Sequence, residues 1–191
     1  MADDVALLTE RLGRAPEGDF EVVVRNAEGA PVVIRNAPFL RDGTPMPTRY
    51  WLCDPGLRAQ ISRLEAAGGV RAAEAAVNPE DLTAAHVAYA TERDAVIDPD
   101  HRGPRPSGGV GGTRKGVKCL HAHYAWFLAG GDDPVGGWVE ERLRDPGGDL
   151  VARRRADDAG TGGDAGCGPA ARTAEANAGC GPAARTAEAN Q

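Results

Sequence analysis

Along this chain, short runs of consecutive β-branched or aromatic residues contrast with segments whose apolar residues recur every third or fourth position, and that contrast predicts most of the elements. VALLTERL, Val5 to Leu12, has helical spacing, with Asp4 placed as an N-terminal cap and Gly13 as the stop. FEVVVRN and PVVIRN are β-branched runs joined by AEGA, a glycine-containing connection of hairpin length, so they predict an antiparallel hairpin. Ala37 to Thr48, APFLRDGTPMPT, holds three prolines and an Asp-Gly and reads as a turning loop; TRYWLC after it reads as a third strand.

Helical signals dominate the rest. Asp54-Pro55 sets an aspartate cap before a proline at the first helical position, Leu57, Ile61 and Leu64 follow at i, i+4 and i+7, and Gly68-Gly69 ends the run. Asn78-Pro79-Glu80-Asp81 repeats the start signal for a longer helix through Leu82, His86, Tyr89 and Arg93, stopped by DPDHRGPRP. Large apolar residues and alanines at helical spacing before Gly130-Gly131 predict a further helix from Val117 to Ala129. The expected fold is α+β: a small antiparallel sheet of about three strands, led by the N-terminal hairpin and packed with about four helices, in one domain over 1–144.

From Asp145 the composition shifts to Gly, Ala, Asp and Arg with few large apolar residues, which predicts a disordered tail over 145–191. Its end is an identical duplication: AGCGPAARTAEAN fills Ala165 to Asn177 and again Ala178 to Asn190. Two copies without Leu, Ile, Val or Phe offer no hydrophobic face to stack, so they predict no repeat fold.

Composition narrows the partners. A net charge of -6 argues against extensive nucleic-acid binding. No apolar run approaches the roughly 20 residues that span a bilayer, and the first residues carry acids where a signal peptide has cations, so a cytoplasmic location without membrane contact is expected. Of the 4 cysteines, Cys53 and Cys119 fall in the domain and Cys167 and Cys180 in the tail, which does not predict a disulfide scaffold.

The charge is segregated. No Asp or Glu lies between Asp100 and Asp132, while Arg102, Arg105, Arg114, Lys115 and Lys118 all do. In the same window PSGGVGGTRKG runs toward the expected helix. Ser107, Gly108, Gly109, Gly111 and Gly112 would let backbone approach a ligand, a helix start offers unpaired N–H groups, and Arg114, Lys115 and Lys118 would neutralise an anion. The motif is not a Walker A loop, since Val117-Lys118 follow Gly116 and no βαβ strand precedes it. The alternative is a flexible, solvated basic loop.

Cys119, His121 and His123 bear chemistry whose reading depends on conformation. On a strand all three would share a face; on a helix Cys119 and His123 share one, and His121 points away. A helix leaves two ligands for a zinc ion that wants four, and Cys53, His86 and His101 form no tight pair to complete the set. A thiolate at Cys119, lowered in pKa by a helix start, Lys118 and His123, would be a nucleophile; the alternative is a buried structural cysteine. His86 reads as an interior histidine, and Trp126, Phe127 and Trp138 as core or docking residues.

In combination, the Ala37 to Thr48 loop, the Ser-Arg-Leu-Glu of Ser62 to Glu65, and the Val-Lys-Cys-Leu-His of Val117 to His121 after a glycine-rich loop resemble a bacterial family known as domain of unknown function 501. The resemblance spans Val5 to Leu143. It implies no activity, although genes of that family often lie near those of a septum-formation protein, enolase and an exopolyphosphatase-like enzyme. Many members resembling this chain carry Cys-Pro-Cys or Cys-Pro-Asn in the first hairpin, where Asn26-Ala27-Glu28 stand here, so the resemblance implies that a thiolate able to complete a soft metal site is missing. Cys119 and His121 match the family motif; His123 belongs to a branch of it.

The leading functional expectation is an uncharacterised protein that binds a small anionic or phosphorylated ligand at the 107–118 loop. One alternative is a protein–protein interaction module linked to cell division, using aromatic and apolar surface near Trp126 and Trp138. Another is a metal-binding domain, with zinc, centred on Cys119 with His121 and His123. If chemistry occurs, His121 is the first candidate for proton transfer. No complete catalytic constellation stands in the sequence, so no enzymatic class is assigned.

Overall fold

The computed structural model describes residues 2–145; the 146–191 tail, with Cys167, Cys180 and both repeat copies, lies outside the described residues. Strands β1 (Gly18–Arg25), β2 (Pro31–Leu40) and β3 (Tyr50–Leu52) form one antiparallel sheet in that order. Asn26 closes the hairpin by accepting the Ala30 N–H on its side chain at 2.8 Å, and Gly29 supplies the left-handed turn residue at φ 80.

β2 runs farther than its sequence suggests, through Ala37 to Leu40 of the expected loop. Pro38 is tolerated because it falls in an irregularity of the ladder, between the pairs Gly18/Leu40 and Phe20/Asn36, where no regular bond needs its N–H. The turn comes at Asp42-Gly43 instead, where Asp42 accepts the Thr44 N–H at 2.9 Å.

Both faces of β2 are covered. Val33 packs into the main core while its neighbour Ile34 points the other way, against Leu8 and Cys53. Leu8 belongs to α1 (Ala2–Leu12), which covers that second face. This helix starts ahead of Asp4, so Asp4 is no cap; its carboxylate pairs with Arg25 of β1 at 2.9 Å.

On the other side of the sheet lie α2 (Pro55–Ala66), α3 (Gly69–Ala76), α4 (Pro79–Asp94), α5 (Leu120–Leu128) and α6 (Pro134–Arg144). Asp54 and Asn78 cap α2 and α4 as the sequence predicts, accepting N–H groups at 2.9 and 2.7 Å. Among the described residues the α-helices number six in place of about four, because α3, a short alanine-rich helix of about two turns, and α6 carry weak signals of their own.

α5 is the central helix. Six of its nine residues are buried, and α6, β3 and α2 all contact it, so the helix is held on several sides at once. Gly136 makes the α5–α6 approach possible: a Cβ there would stand 2.2 Å from the Phe127 Cβ. Glu92 of α4 joins three layers, accepting from the Tyr50 hydroxyl, from Arg49 Nε at 3.3 Å and from Trp126 Nε1 at 3.1 Å. Burying large apolar groups such as Ile61 and Leu120, each fully buried, contributes about 1.5–3 kcal/mol apiece.

Candidate functional site

Two clefts flank the segment that precedes α5, and the residues singled out in the sequence divide between them. The first, of about 790 Å³, lies between α4 and the loop running from Pro106 to Gly116. α4 brings Leu82, His86, Ala90 and Arg93 to it, and the loop brings Ser107, Gly108, Gly109, Arg114, Lys115 and Gly116.

Neutral His86 clamps this loop. Its Nδ1 accepts the Val110 N–H at 3.1 Å, which places the ring proton on Nε2, and Nε2 donates to the Gly116 carbonyl at 3.1 Å. Burial holds the His86 pKa below the ordinary 6.5, in keeping with that uncharged tautomer. Arg93, almost wholly buried, donates from Nη1 to the Gly108 carbonyl at 2.7 Å and from Nε to Asp94 at 2.8 Å. Lys118 donates to the Gly111 carbonyl at 3.3 Å, and Glu74 accepts the Val117 N–H at 3.3 Å.

Several glycines therefore serve the loop itself. Gly109 meets the His86 ring so closely that a Cβ would be 2.5 Å from it, and Gly108, Gly111 and Gly112 have φ of 78, 65 and 75. Gly111, Gly112 and Lys118 stand away from the cleft lining. Arg114 and Lys115 are exposed on it and, among the described residues, pair with no carboxylate.

The helix start differs from expectation. Cys119 is the extended residue before α5, with φ −155 and ψ 147, so the helix begins at Leu120 and not at Val117. The anion at its N-terminus is the protein's own: Glu65 Oε1 accepts the Leu120 N–H at 2.6 Å. Lys118 consequently lies in the segment ahead of the helix and not in its first turn.

The second cleft, of about 600 Å³, opens on the other side, between β3, α2 and the start of α5. Tyr50, Trp51, Arg58, Ser62, Cys119 and His121 line it. His121 Nδ1 is 3.2 Å from Glu65 Oε1, and its Nε2 is 3.4 Å from Ser62 Oγ and 3.3 Å from the Arg58 carbonyl. The Ser-Arg-Leu-Glu and Val-Lys-Cys-Leu-His segments, more than 50 residues apart in the chain, thus meet side chain to side chain.

Cys119, His121 and His123 do not converge. His123 points into the core, where its Nδ1 donates to the buried Asp133 at 2.8 Å and its ring stands 5.6 Å from that of His86. Among the described residues no three His, Cys, Asp or Glu side chains are grouped to hold a metal. Nor is Cys119 set up as a thiolate: burial raises its pKa, outweighing the opposing pull of Lys118. Burial pushes Cys53 up to about 11.

The aromatic surface expected near Trp126 and Trp138 is absent, since the two are 4% and 6% exposed and belong to the main core. Sequence reasoning passed over Ser62, Glu65, Glu74 and Arg93 as site residues. Arg93 carried a signal, as it falls in register with Leu82, His86 and Tyr89 on what should be an apolar stripe; the carboxylates carried none, because their partners come from distant segments. No helix among the described residues is long and apolar enough to cross a membrane.

No curated protein and no solved structure matches the chain. A model of the family described as protein of unknown function (DUF501) matches residues 22–141, from β1 into α6 and across both clefts, and the chain belongs to that family.

Proposed function

We propose that the cleft between α4 and the glycine-rich loop binds a small anionic, phosphorylated ligand. The observation that carries this reading is the pair Arg114 and Lys115, exposed on a cleft of about 790 Å³ without a carboxylate partner among the described residues. Cations left unpaired on a concave surface are the feature that an anion neutralises. Arg93 and His86 fasten the loop from below, so the two cations stand on a held backbone and not on a free one.

The ligand also meets acid. Glu74 and Asp94 line the same cleft, which favours a phosphorylated molecule bearing hydroxyl or amino donors over bare phosphate. Exposed Ser107 supplies its hydroxyl at the rim, while Gly108, Gly109, Gly111, Gly112 and Lys118 act behind it by shaping and tying the loop.

The experiment is a thermal-shift series on the whole protein with inorganic phosphate, pyrophosphate, sugar phosphates and nucleotides. A ligand at 100 times its Kd stabilises by about 2.7 kcal/mol, so binding raises the melting temperature measurably. The rise should vanish in the double variant Arg114→Ala, Lys115→Ala, whose own melting matches wild type because both side chains are exposed. A panel without any shift, or a shift that the double variant keeps, rejects the site.

A further inference from the structure

The second cleft holds a different chemistry. Ser62, His121 and Glu65 form a chain of contacts in which a hydroxyl, an imidazole and a carboxylate follow one another, at 3.4 Å and 3.2 Å. Glu65 Oε1 already accepts the Leu120 N–H, so toward His121 it acts as an acceptor and Nδ1–H donates the hydrogen bond. In the neutral imidazole this leaves the Nε2 lone pair free. Of its two neighbours, the Arg58 carbonyl can only accept, whereas the Ser62 hydroxyl can donate.

From this arrangement we infer that Ser62 is a nucleophile toward carboxylic esters, with His121 as its base and Glu65 as the group that orients the imidazole. The roles match those of a serine, histidine and acid triad, which is recognised by geometry and not by order in the chain. The position also suits access: Ser62 is exposed, and His121 and Glu65 are partly so, at the wall of an open cleft. A contact of 3.4 Å is the longer kind found before substrate tightens it.

The surroundings name the substrate class. Arg58 stands one helical turn before Ser62, its Nη1 held at 2.6 Å by the Arg11 carbonyl, and pairs with no carboxylate among the described residues. Its charge suits the oxygen that becomes negative during acyl transfer. Leu12, Trp51 and Ala122 give the same cleft an apolar wall, which fits an apolar acyl group.

The step balances. Ser62 Oγ adds to the ester carbonyl carbon as its proton passes to His121 Nε2, and the carbonyl electron pair moves onto oxygen. Collapse breaks the bond to the leaving alcohol, which takes the proton from His121 and leaves an acyl-Ser62. Water then attacks by the same route, releasing the carboxylic acid and restoring the hydroxyl.

The test is reaction of the full chain with an alkyl fluorophosphonate, followed by intact mass and peptide mapping. The Oγ–P bond forms, the P–F bond breaks, and hydrogen fluoride leaves. One adduct is expected, on Ser62, absent in Ser62→Ala. His121→Gln should slow labelling at least about 100-fold. Glu65→Gln, which keeps an acceptor for the Leu120 N–H, should slow it as well and provides a second variant should His121→Gln fold poorly. Folded wild-type protein without an adduct, an adduct surviving in Ser62→Ala, or equal rates in wild type and folded Glu65→Gln and His121→Gln proteins would overturn the inference.

Discussion

His86 Nδ1 accepts the Val110 backbone N–H while the same ring donates to the Gly116 carbonyl, each at 3.1 Å, so one imidazole ties α4 to both ends of the loop's central turn. A protonated ring has no acceptor to give Val110. Because burial lowers the folded pKa below 6.5, the unfolded chain takes up this proton first as pH falls. The contribution of neutral His86 to stability is therefore full above about 6.5 and is lost as pH drops through the lower folded value. Thermal melting from pH 7.5 to 5 should show a declining melting temperature, and His86→Gln, which can both accept and donate, should flatten that decline.

Gly109 answers to space, since a Cβ there would meet the His86 side chain at 2.5 Å. Gly109→Ala should therefore separate loop from helix and destabilise by about 1–3 kcal/mol in urea unfolding. It should also weaken any response to phosphorylated ligands, because Arg114 and Lys115 ride on the displaced segment.

Asp133 is fully buried at the start of α6, where it accepts the Val135 and Gly136 N–H groups at 2.9 and 3.0 Å and the His123 Nδ1 at 2.8 Å. Asp133→Ala removes the cap and leaves His123 without its partner in the core. Losing a helix cap costs about 1 kcal/mol, and leaving a buried polar group unsatisfied about 1–3 kcal/mol more. Asp133→Asn, which retains an oxygen for the cap, should lose less; urea unfolding of the two variants separates the cap from the pair.

Cys53 and Cys119 should resist alkylation in the folded protein, because burial raises both thiols above their ordinary pKa. Iodoacetamide at pH 7.5, followed by peptide mapping, should leave both unmodified until urea is added. Rapid modification of Cys119 in the native state would restore the thiolate reading that its place ahead of a helix suggests.

Local signals carried much of the architecture. Asp54-Pro55 and Asn78-Pro79 announce α2 and α4 because a cap and the residue it serves are neighbours in the chain, and the Asn26 to Ala30 hairpin is announced for the same reason. Where a partner is distant, the same kind of signal misleads. Asp4 looks like a cap and is instead bonded to Arg25, and Pro38 looks like a strand breaker until the ladder irregularity beside it is seen.

The candidate sites divide along the same line. That cations and glycines crowd between Pro106 and Lys118, with Cys119 and His121 just beyond them, is legible in the chain alone, since composition and order are properties of one segment. What each of them faces depends on the packing of distant segments. Glu65 from α2 fills the helix start that the sequence offered to a ligand, His86 and Arg93 from α4 make the loop a wall, and Ser62 meets His121 across 59 positions of chain. Hydrogen bonds between side chains act over about 3 Å in space, and no periodicity in one segment encodes which distant residue folding will bring within that reach.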